Sequence, residues 1–212
     1  MQTPSELSYR ALNGVPLVSP GDDLAQIVRD ALRESQMELA PHDIIVVAQK
    51  IVSKAEDRLV RLDDVEPGEA ALELARKVDK DPRVVELVLS ESVDVVRAIN
   101  GVLITENRYG LVMANAGLDM SNVDHDQGGE TALLLPVDPD ASARRLREAL
   151  ESEVAPIGVI VCDSVGRAWR EATVGLAIGV SGLPARLDLR GDTDLFGREL
   201  MVSEVAIADS LA

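Results

Sequence analysis

Apolar residues recur at three- and four-residue intervals through Leu24, Ile27, Val28, Ala31 and Leu32, directly after Pro20-Gly-Asp-Asp23. The acidic pair suits the positive end of a helix dipole, so a helix is expected to begin there. Pro41-His-Asp43 reads as a turn into Ile44–Ala48, a wholly apolar run expected to be a strand buried on both faces. Pro67-Gly-Glu69 opens a second helix toward Lys77, and Asp81-Pro82 a third that carries Val84, Val85, Leu87, Val88 and Leu89. Strands are expected over 102–105, 111–114 and 132–135, after which Pro136-Val-Asp-Pro-Asp140 breaks the chain before a helix over 142–151. Residues 157–162 form the second wholly apolar strand, and the glycine-punctuated stretch 173–182 is expected to pack close against another segment. Strand runs mixed with amphipathic helices predict an α/β or α+β fold, without fixing the strand order.

Composition narrows the class. A chain of 212 residues with 46% hydrophobic content buries a sizeable core, as one domain over 1–212 or two small intertwined ones. The aromatic set is only Trp169, Phe196, Tyr9 and Tyr109, so the core is aliphatic and base-stacking platforms are scarce. A net charge of −16 repels DNA, RNA and anionic lipid, and no stretch approaches the roughly eighteen apolar residues of a membrane span. The start, Met1-Gln-Thr-Pro-Ser-Glu-Leu7, lacks a secretory pattern, and the single Cys162 excludes an intrachain disulfide framework. A cytoplasmic protein acting on a small molecule is the expectation.

Two segments carry the candidate chemistry: Asn115-Ala-Gly-Leu-Asp-Met-Ser-Asn-Val-Asp124 and Val159-Ile-Val-Cys-Asp-Ser-Val-Gly-Arg-Ala-Trp-Arg170. In each, an apolar run ends at an Asp beside small polar residues, a common way to hold a divalent cation and the phosphates it carries. Asp119 or Asp163 alone reads first as an N-cap or Asx-turn residue. Each, however, has a second oxygen ligand nearby, Asn122 and Ser164, and two carboxylates with a hydroxyl suit Mg²⁺ or Mn²⁺.

Basic clusters stand out in so acidic a chain. Lys50 and Lys54 follow the first apolar strand and share a face if the turn is helical; the plain alternative is a solvated surface turn. Arg167 and Arg170 flank Trp169 after Asp163, placed to clamp a carboxylate or phosphate, or to pair with Glu171. His42 and His125 sit among loop-forming residues with no second histidine at ligand spacing, and Cys162 reads as an inert buried thiol. Neither the Gly-x-x-x-x-Gly-Lys-[Ser/Thr] loop nor Gly-x-Gly-x-x-Gly is present.

Seven blocks in order, Gly14-Val-Pro-Leu-Val18, Gly21-Asp-Asp23, Val52-Ser-Lys-Ala-Glu56, the Asp119 segment, Leu134-Leu-Pro-Val-Asp-Pro-Asp140, Asp163-Ser-Val-Gly-Arg-Ala-Trp-Arg170 and Asp194-Leu-Phe-Gly-Arg-Glu-Leu200, resemble the coenzyme F420-0:L-glutamate ligase family, from about Gly14 to Ala212. The resemblance implies a GTP-dependent, divalent-metal-dependent enzyme of unusual mixed-sheet architecture, an intertwined homodimer that attaches glutamate to the deazaflavin precursor and extends a γ-linked chain. Carried over, Val15, Pro16, Leu17 and Val18 match a first nucleotide-contacting stretch, and Gln49, Lys50 and Lys54 a second, with Asn122 a further contact. Asp119, Asp163 and Ser164 match the metal ligands. Lys54 is then expected to serve catalysis by neutralising phosphate charge, with Arg167 and Arg170 holding the acidic substrate.

Departures qualify this. Gln49 and Lys50 stand where small hydroxyl residues are common, and no nitroreductase-like domain follows. In the family, the segment after Glu204-Val-Ala-Ile-Ala-Asp209 continues into a glycine-containing stretch that contacts nucleotide and metal; part of the family domain is therefore expected to be absent beyond Ala212. Two other readings stay open: a metal-dependent phosphoryl-transfer enzyme acting on another acidic substrate, and a non-catalytic nucleotide- or cofactor-binding subunit.

Overall fold

The structure, a computed structural model, describes residues 7–121, 129–151, 156–169 and 171–212. Asn122, His125 and Arg170 lie outside the described residues. The fold is mixed α/β, with sheets of two or three strands among the described residues.

The first layer forms around β7 (Gly158–Gly166), flanked by β1 (Ile44–Ala48) in parallel and β8 (Thr173–Ser181) antiparallel. Its apolar start is buried from Gly158 to Val161, as expected of a central strand. Helices α1 (Leu24–Glu34) and α5 (Pro139–Glu151) and the short α2 (Gln49–Ala55) supply Ala25, Val52, Ala143, Leu146 and Leu150 to the core against Val47, Val159 and Val161. Helix α1 starts where its acidic pair predicted: Asp23 caps it, accepting from the N–H groups of Ala25 and Gln26 at 3.0 and 3.1 Å.

Two expectations need correction here. Strand β1 is not buried on both faces: Val47 is 8% exposed but Val46, on the opposite face, 40%, because among the described residues the helices pack on the Val47 face. The strand at 157–162 does not end at Asp163 either. It runs on to Gly166, held by β8 through pairs such as Asp163 with Leu176 and Ser164 with Gly175. Asp163 and Ser164 are thus rigid strand residues.

The second layer packs α3 (Glu69–Val78) and α4 (Pro82–Ser90) on the antiparallel sheet of β3 (Ser92–Ile99), β4 (Val102–Asn107) and β5 (Val112–Ala114). Ala71, Ala75, Val78, Val85, Val88 and Leu103 form its core with Ala116. Strand β3 escaped the sequence reading, as did β2 (Leu59–Arg61), which pairs antiparallel with β6 (Thr131–Leu133). That pair joins the layers through Leu62, Leu87, Ala132 and Leu134. A partly buried ion pair between Arg58 and Glu91, 2.8 Å, clamps the start of β2 to the end of α4.

The chain closes with β9 (Leu187–Asp188), β10 (Glu204–Val205) and α6 (Ile207–Leu211). Here the glycines of β8 find their close neighbours. A Cβ on Gly175 would stand 2.2 Å from the Ala212 carbonyl oxygen, and one on Gly179 would stand 2.3 Å from that of Pro139. Among the described residues no helix is long and apolar enough to cross a membrane.

Candidate functional site

The candidate site forms at the carboxyl ends of the parallel pair β1 and β7, the end of a parallel sheet where ligands ordinarily bind. Ala48 is in register with Cys162, so Gln49 and Lys50 leave the sheet after β1 just where Asp163 follows along the continuing strand β7. Gln49 is 3% exposed and turns its amide inward, where Oε1 accepts from the Ser53 hydroxyl at 2.9 Å. Lys50 turns outward instead.

Asp119 arrives from the second layer. Its backbone is fixed to β6 in both directions, its N–H donating to the Leu133 carbonyl at 3.0 Å and its own carbonyl accepting from the Leu133 N–H at 2.8 Å. Before it, Asn115, Ala116 and Gly117 all adopt the left-handed conformation, with φ of 50, 55 and 80°. This strained turn swings the chain from β5 toward β6.

The side chains then meet. Lys50 Nζ lies 2.7 Å from Asp119 Oδ2 and donates to the Ser121 carbonyl at 3.0 Å and hydroxyl at 3.1 Å. Asp119 Oδ1 accepts from the Ser121 N–H at 2.7 Å. Burial pushes the Asp119 carboxyl up, but the Lys50 hydrogen bond and the two Ser121 donors outweigh it and hold the group below its ordinary pKa. Asp163 goes the other way: burial pushes its carboxyl up, the Asp119 charge adds to this, and the Ser164 N–H at 2.8 Å and the Lys50 charge offset it only in part. Cys162 behind it is likewise raised, by burial first.

The two carboxylates are close enough to repel, and among the described residues Lys50 forms an ion pair with Asp119 and none is formed by Asp163. Asp119 and Asp163 are the two carboxylates brought together there, and Ser164 follows Asp163 along β7. Among the described residues no three His, Cys, Asp or Glu side chains gather to hold a metal by themselves.

The other sequence candidates lie around this centre. Val18 is buried while Val15, Pro16 and Leu17 are exposed, and the turn after them is tied to α2 by Gly21 N–H to the Ala55 carbonyl at 2.9 Å. Lys54 occupies the last turn of the same helix. Arg167 is exposed, forms no ion pair with Glu171 among the described residues, and precedes the fully exposed Trp169. His42 sits in its turn with φ of 74° and is exposed. Sequence reasoning missed Ser121 as a partner of Lys50, although the Asp-x-Ser spacing of an Asx-turn was there to be read.

Adjoining Asp119 is an open cleft of about 370 Å³ between the α3–α4 junction and the Asn115 turn. It was not foreseen.

Comparison with known proteins places these features in a family. A family model described as F420-0:Gamma-glutamyl ligase matches residues 14–212. The chain is 43% identical over 207 residues to a protein of Methanothermobacter thermautotrophicus named "Coenzyme F420:L-glutamate ligase", covering 97% of this chain and 81% of that one. It is 46% identical over 202 residues to a protein of the same name from Methanopyrus kandleri, covering 93% and 77%, and 44% identical over 179 residues to one from Methanocaldococcus jannaschii, covering 84% and 70%. Identity at this level over nearly the whole chain, with a family model matched across residues 14–212, settles the matter: the chain belongs to the F420-0:gamma-glutamyl ligase family.

Proposed function

We propose that this chain is a GTP-dependent ligase that joins L-glutamate to coenzyme F420-0 and lengthens the product as a γ-linked glutamate chain. The observation that carries this reading is the Lys50–Asp119 ion pair beside Asp163, which has no ion-pair partner among the described residues, where the parallel pairing of β1 and β7 ends. The names of the relatives support the choice of substrates.

The chemistry follows from what a carboxylate cannot do. It is a poor acylating agent, so the terminal phosphoryl group of GTP passes to a carboxylate oxygen of the acceptor, the bond to GDP breaks, and an acyl phosphate results. The glutamate amine then attacks the acyl carbon, a C–N bond forms, phosphate leaves and the nitrogen sheds a proton. Such transfers ask a protein mainly for positioning and charge neutralisation. Lys50 and Lys54 neutralise phosphate charge, while Val15 to Val18, Gln49 and Asn122 line the nucleotide. Arg167 and Arg170 hold the acidic acceptor.

Asp119, Asp163 and Ser164 would hold Mg²⁺ or Mn²⁺. The residues fit: such a cation keeps several waters, needs only one or two protein carboxylates, and offsets the burial and the Asp119 charge that raise Asp163. When bound, it neutralises phosphate oxygens. The exposed Leu195 and Phe196 support a homodimer, and the charge of −16 with a single cysteine supports the cytoplasm as its place.

Mass spectrometry of the deazaflavin after incubation with GTP, Mn²⁺, L-glutamate and F420-0 tests the reading. Added mass in glutamate steps, dependent on both GTP and metal, is expected. An unchanged deazaflavin in the presence of bound nucleotide would overturn it in favour of a binding subunit.

A further inference from the structure

Asparagine followed by glycine occurs twice in the chain, at Asn13-Gly14 and at Asn100-Gly101. The pair carries a chemistry of its own. Glycine has no Cβ to screen its nitrogen, so the backbone N of the glycine can reach the side-chain carbonyl carbon of the asparagine and close a five-membered ring. Both asparagines are exposed, and both glycines take a positive φ, 72° at Gly14 and 76° at Gly101. What separates the two is the hold on the attacking nitrogen.

Gly101 lies in the β3–β4 hairpin. Its N–H donates to the Val78 carbonyl at the end of α3, 2.8 Å, and the Ile99–Val102 pair closes the turn around it. That nitrogen turns toward Cγ of Asn100 only when the hairpin opens away from α3. Gly14 has no such restraint. Residues 7–18 form neither helix nor strand, and among the described residues neither the Gly14 N–H nor the Asn13 side-chain amide has a hydrogen-bond partner. The Asn13 N–H alone is fixed, donating at 2.8 Å to Oγ of Ser35, the residue that ends α1.

We propose that Asn13 is a site of spontaneous deamidation in the folded chain, and that the β3–β4 hairpin shields Asn100 from the same reaction. The Gly14 nitrogen attacks Cγ of Asn13 and loses its proton to solvent as the N–Cγ bond forms. The Cγ–Nδ2 bond then breaks, and the amide nitrogen leaves as ammonia. Water opens the resulting succinimide at either carbonyl, which leaves aspartate or isoaspartate at position 13. Water enters, ammonia departs, and nothing is oxidised or reduced.

Either product adds a negative charge, and isoaspartate also routes the main chain through Cβ, one atom longer. The place gives this a consequence. Position 13 is anchored on Ser35, while Val18 is buried and Gly21 is tied to the Ala55 carbonyl at 2.9 Å. Val15, Pro16 and Leu17 are the exposed span between those anchors. The effect on GTP rests on the reading of the preceding section, in which this span lines the nucleotide: added charge repels the phosphates and a longer main chain displaces the span.

The test is peptide mapping by mass spectrometry, with isoaspartyl methyltransferase as the probe for isoaspartate, on the whole chain incubated at neutral pH with and without urea. In the folded chain position 13 is expected to be modified about tenfold or more faster than position 100, a ratio set by the hairpin contacts that must open first. In urea the two rates should converge. Asn13→Gln, whose longer side chain would have to close a six-membered ring, should remove the fast event and leave the slow one. An unmodified position 13, equal rates in the folded chain, or a position 100 that stays slow in urea overturns the proposal. Aged wild type is expected to show a raised KM for GTP with the KM for L-glutamate unchanged, and aged Asn13→Gln no such rise. A GTP KM that ages alike in both overturns the link to the nucleotide. A fresh chain that forms no glutamylated product removes the ligase reading and leaves the modification site standing.

Discussion

Asp119 and Asp163 stand close enough for the charge of one to raise the pKa of the other, yet they are shifted in opposite directions. Against its burial, Lys50 and Ser121 hold Asp119 down, while burial first and the Asp119 charge after it raise Asp163. Lys50 sits 2.7 Å from Asp119, and its charge offsets the burial of Asp163 only in part.

The two carboxylates should therefore move stability in opposite senses. The raised pKa of Asp163 means the folded chain holds that proton more tightly than the unfolded chain, so stability falls as pH rises from the ordinary 3.8 through the raised value, and the penalty is complete above it. Asp163→Asn should raise Tm at pH 7 by roughly 1–3 °C, and the gain should vanish below the ordinary value. The lowered pKa of Asp119 contributes stability that is present above the ordinary 3.8 and lost as pH falls through the lowered value. Asp119→Asn should cost about 0.5–1 kcal/mol at pH 7 after discounting for solvent screening. Thermal melts across pH read both, and shifts of the same sign would refute the account.

Lys50 is expected to matter more to turnover than to folding. Its side chain is about a quarter exposed, so removing the ion pair in Lys50→Met should cost about 1 kcal/mol or less. Loss of a preorganised positive group at a phosphoryl-transfer site should lower kcat by about 10²–10³. Single-turnover product formation alongside a denaturant melt separates the two effects. A variant with unchanged turnover would leave Lys50 as a structural partner of Asp119.

Much of this site was legible in the sequence because its parts sit at chain punctuation. Pro20-Gly-Asp-Asp23 marked α1, and the apolar runs at 44–48 and 157–162 marked the parallel pair that carries Lys50 and Asp163. What stayed hidden was set by partners distant in sequence. Strand β3 has bulges between Ser92 and Asp94 and between Val95 and Arg97, so its alternation is broken and only the Asn100-Gly101 turn, with φ of 76° at the glycine, betrays a hairpin. Strand β2 is three residues long and is a strand only because β6 lies beside it. The cleft depends on a left-handed turn at Asn115 and Ala116, a conformation non-glycine residues seldom adopt.

The glycines of β8 give a test of packing. At Gly179 an added methyl would meet the Pro139 carbonyl oxygen at 2.3 Å, and this neighbour is backbone at the start of α5, which cannot rotate away. Gly179→Ala should therefore destabilise by about 1–3 kcal/mol, a fall in Tm of roughly 2–12 °C for a chain of this size. Gly166→Ala on β7, where nothing lies within 4 Å of the added methyl, is the control and should melt within a degree or so of the wild type. Equal losses from both would point to strand propensity in place of the close contact.

The last expectation concerns the apolar surface at the carboxyl end. Leu195 and Phe196 are 99% and 95% exposed, with Met201 and Val202 nearby in sequence and also exposed, on the excursion between β9 and β10. The tip of that excursion is ordered by its own backbone: Asp194 Oδ1 accepts from the N–H groups of Phe196 and Arg198 at 2.8 and 2.9 Å, and Gly197 takes φ of 82°. An ordered turn that displays two large apolar side chains to water is poorly explained by the needs of one chain alone, and a second copy that covers them resolves the cost. Leu195→Ser together with Phe196→Ser should leave the turn's hydrogen bonds intact while shifting a dimer toward monomer in sedimentation velocity, by about tenfold or more in dissociation constant. The wild type must itself sediment as a dimer at the same concentration. If it sediments as a monomer, or if the double substitution leaves a dimer unchanged, these side chains serve something other than self-association.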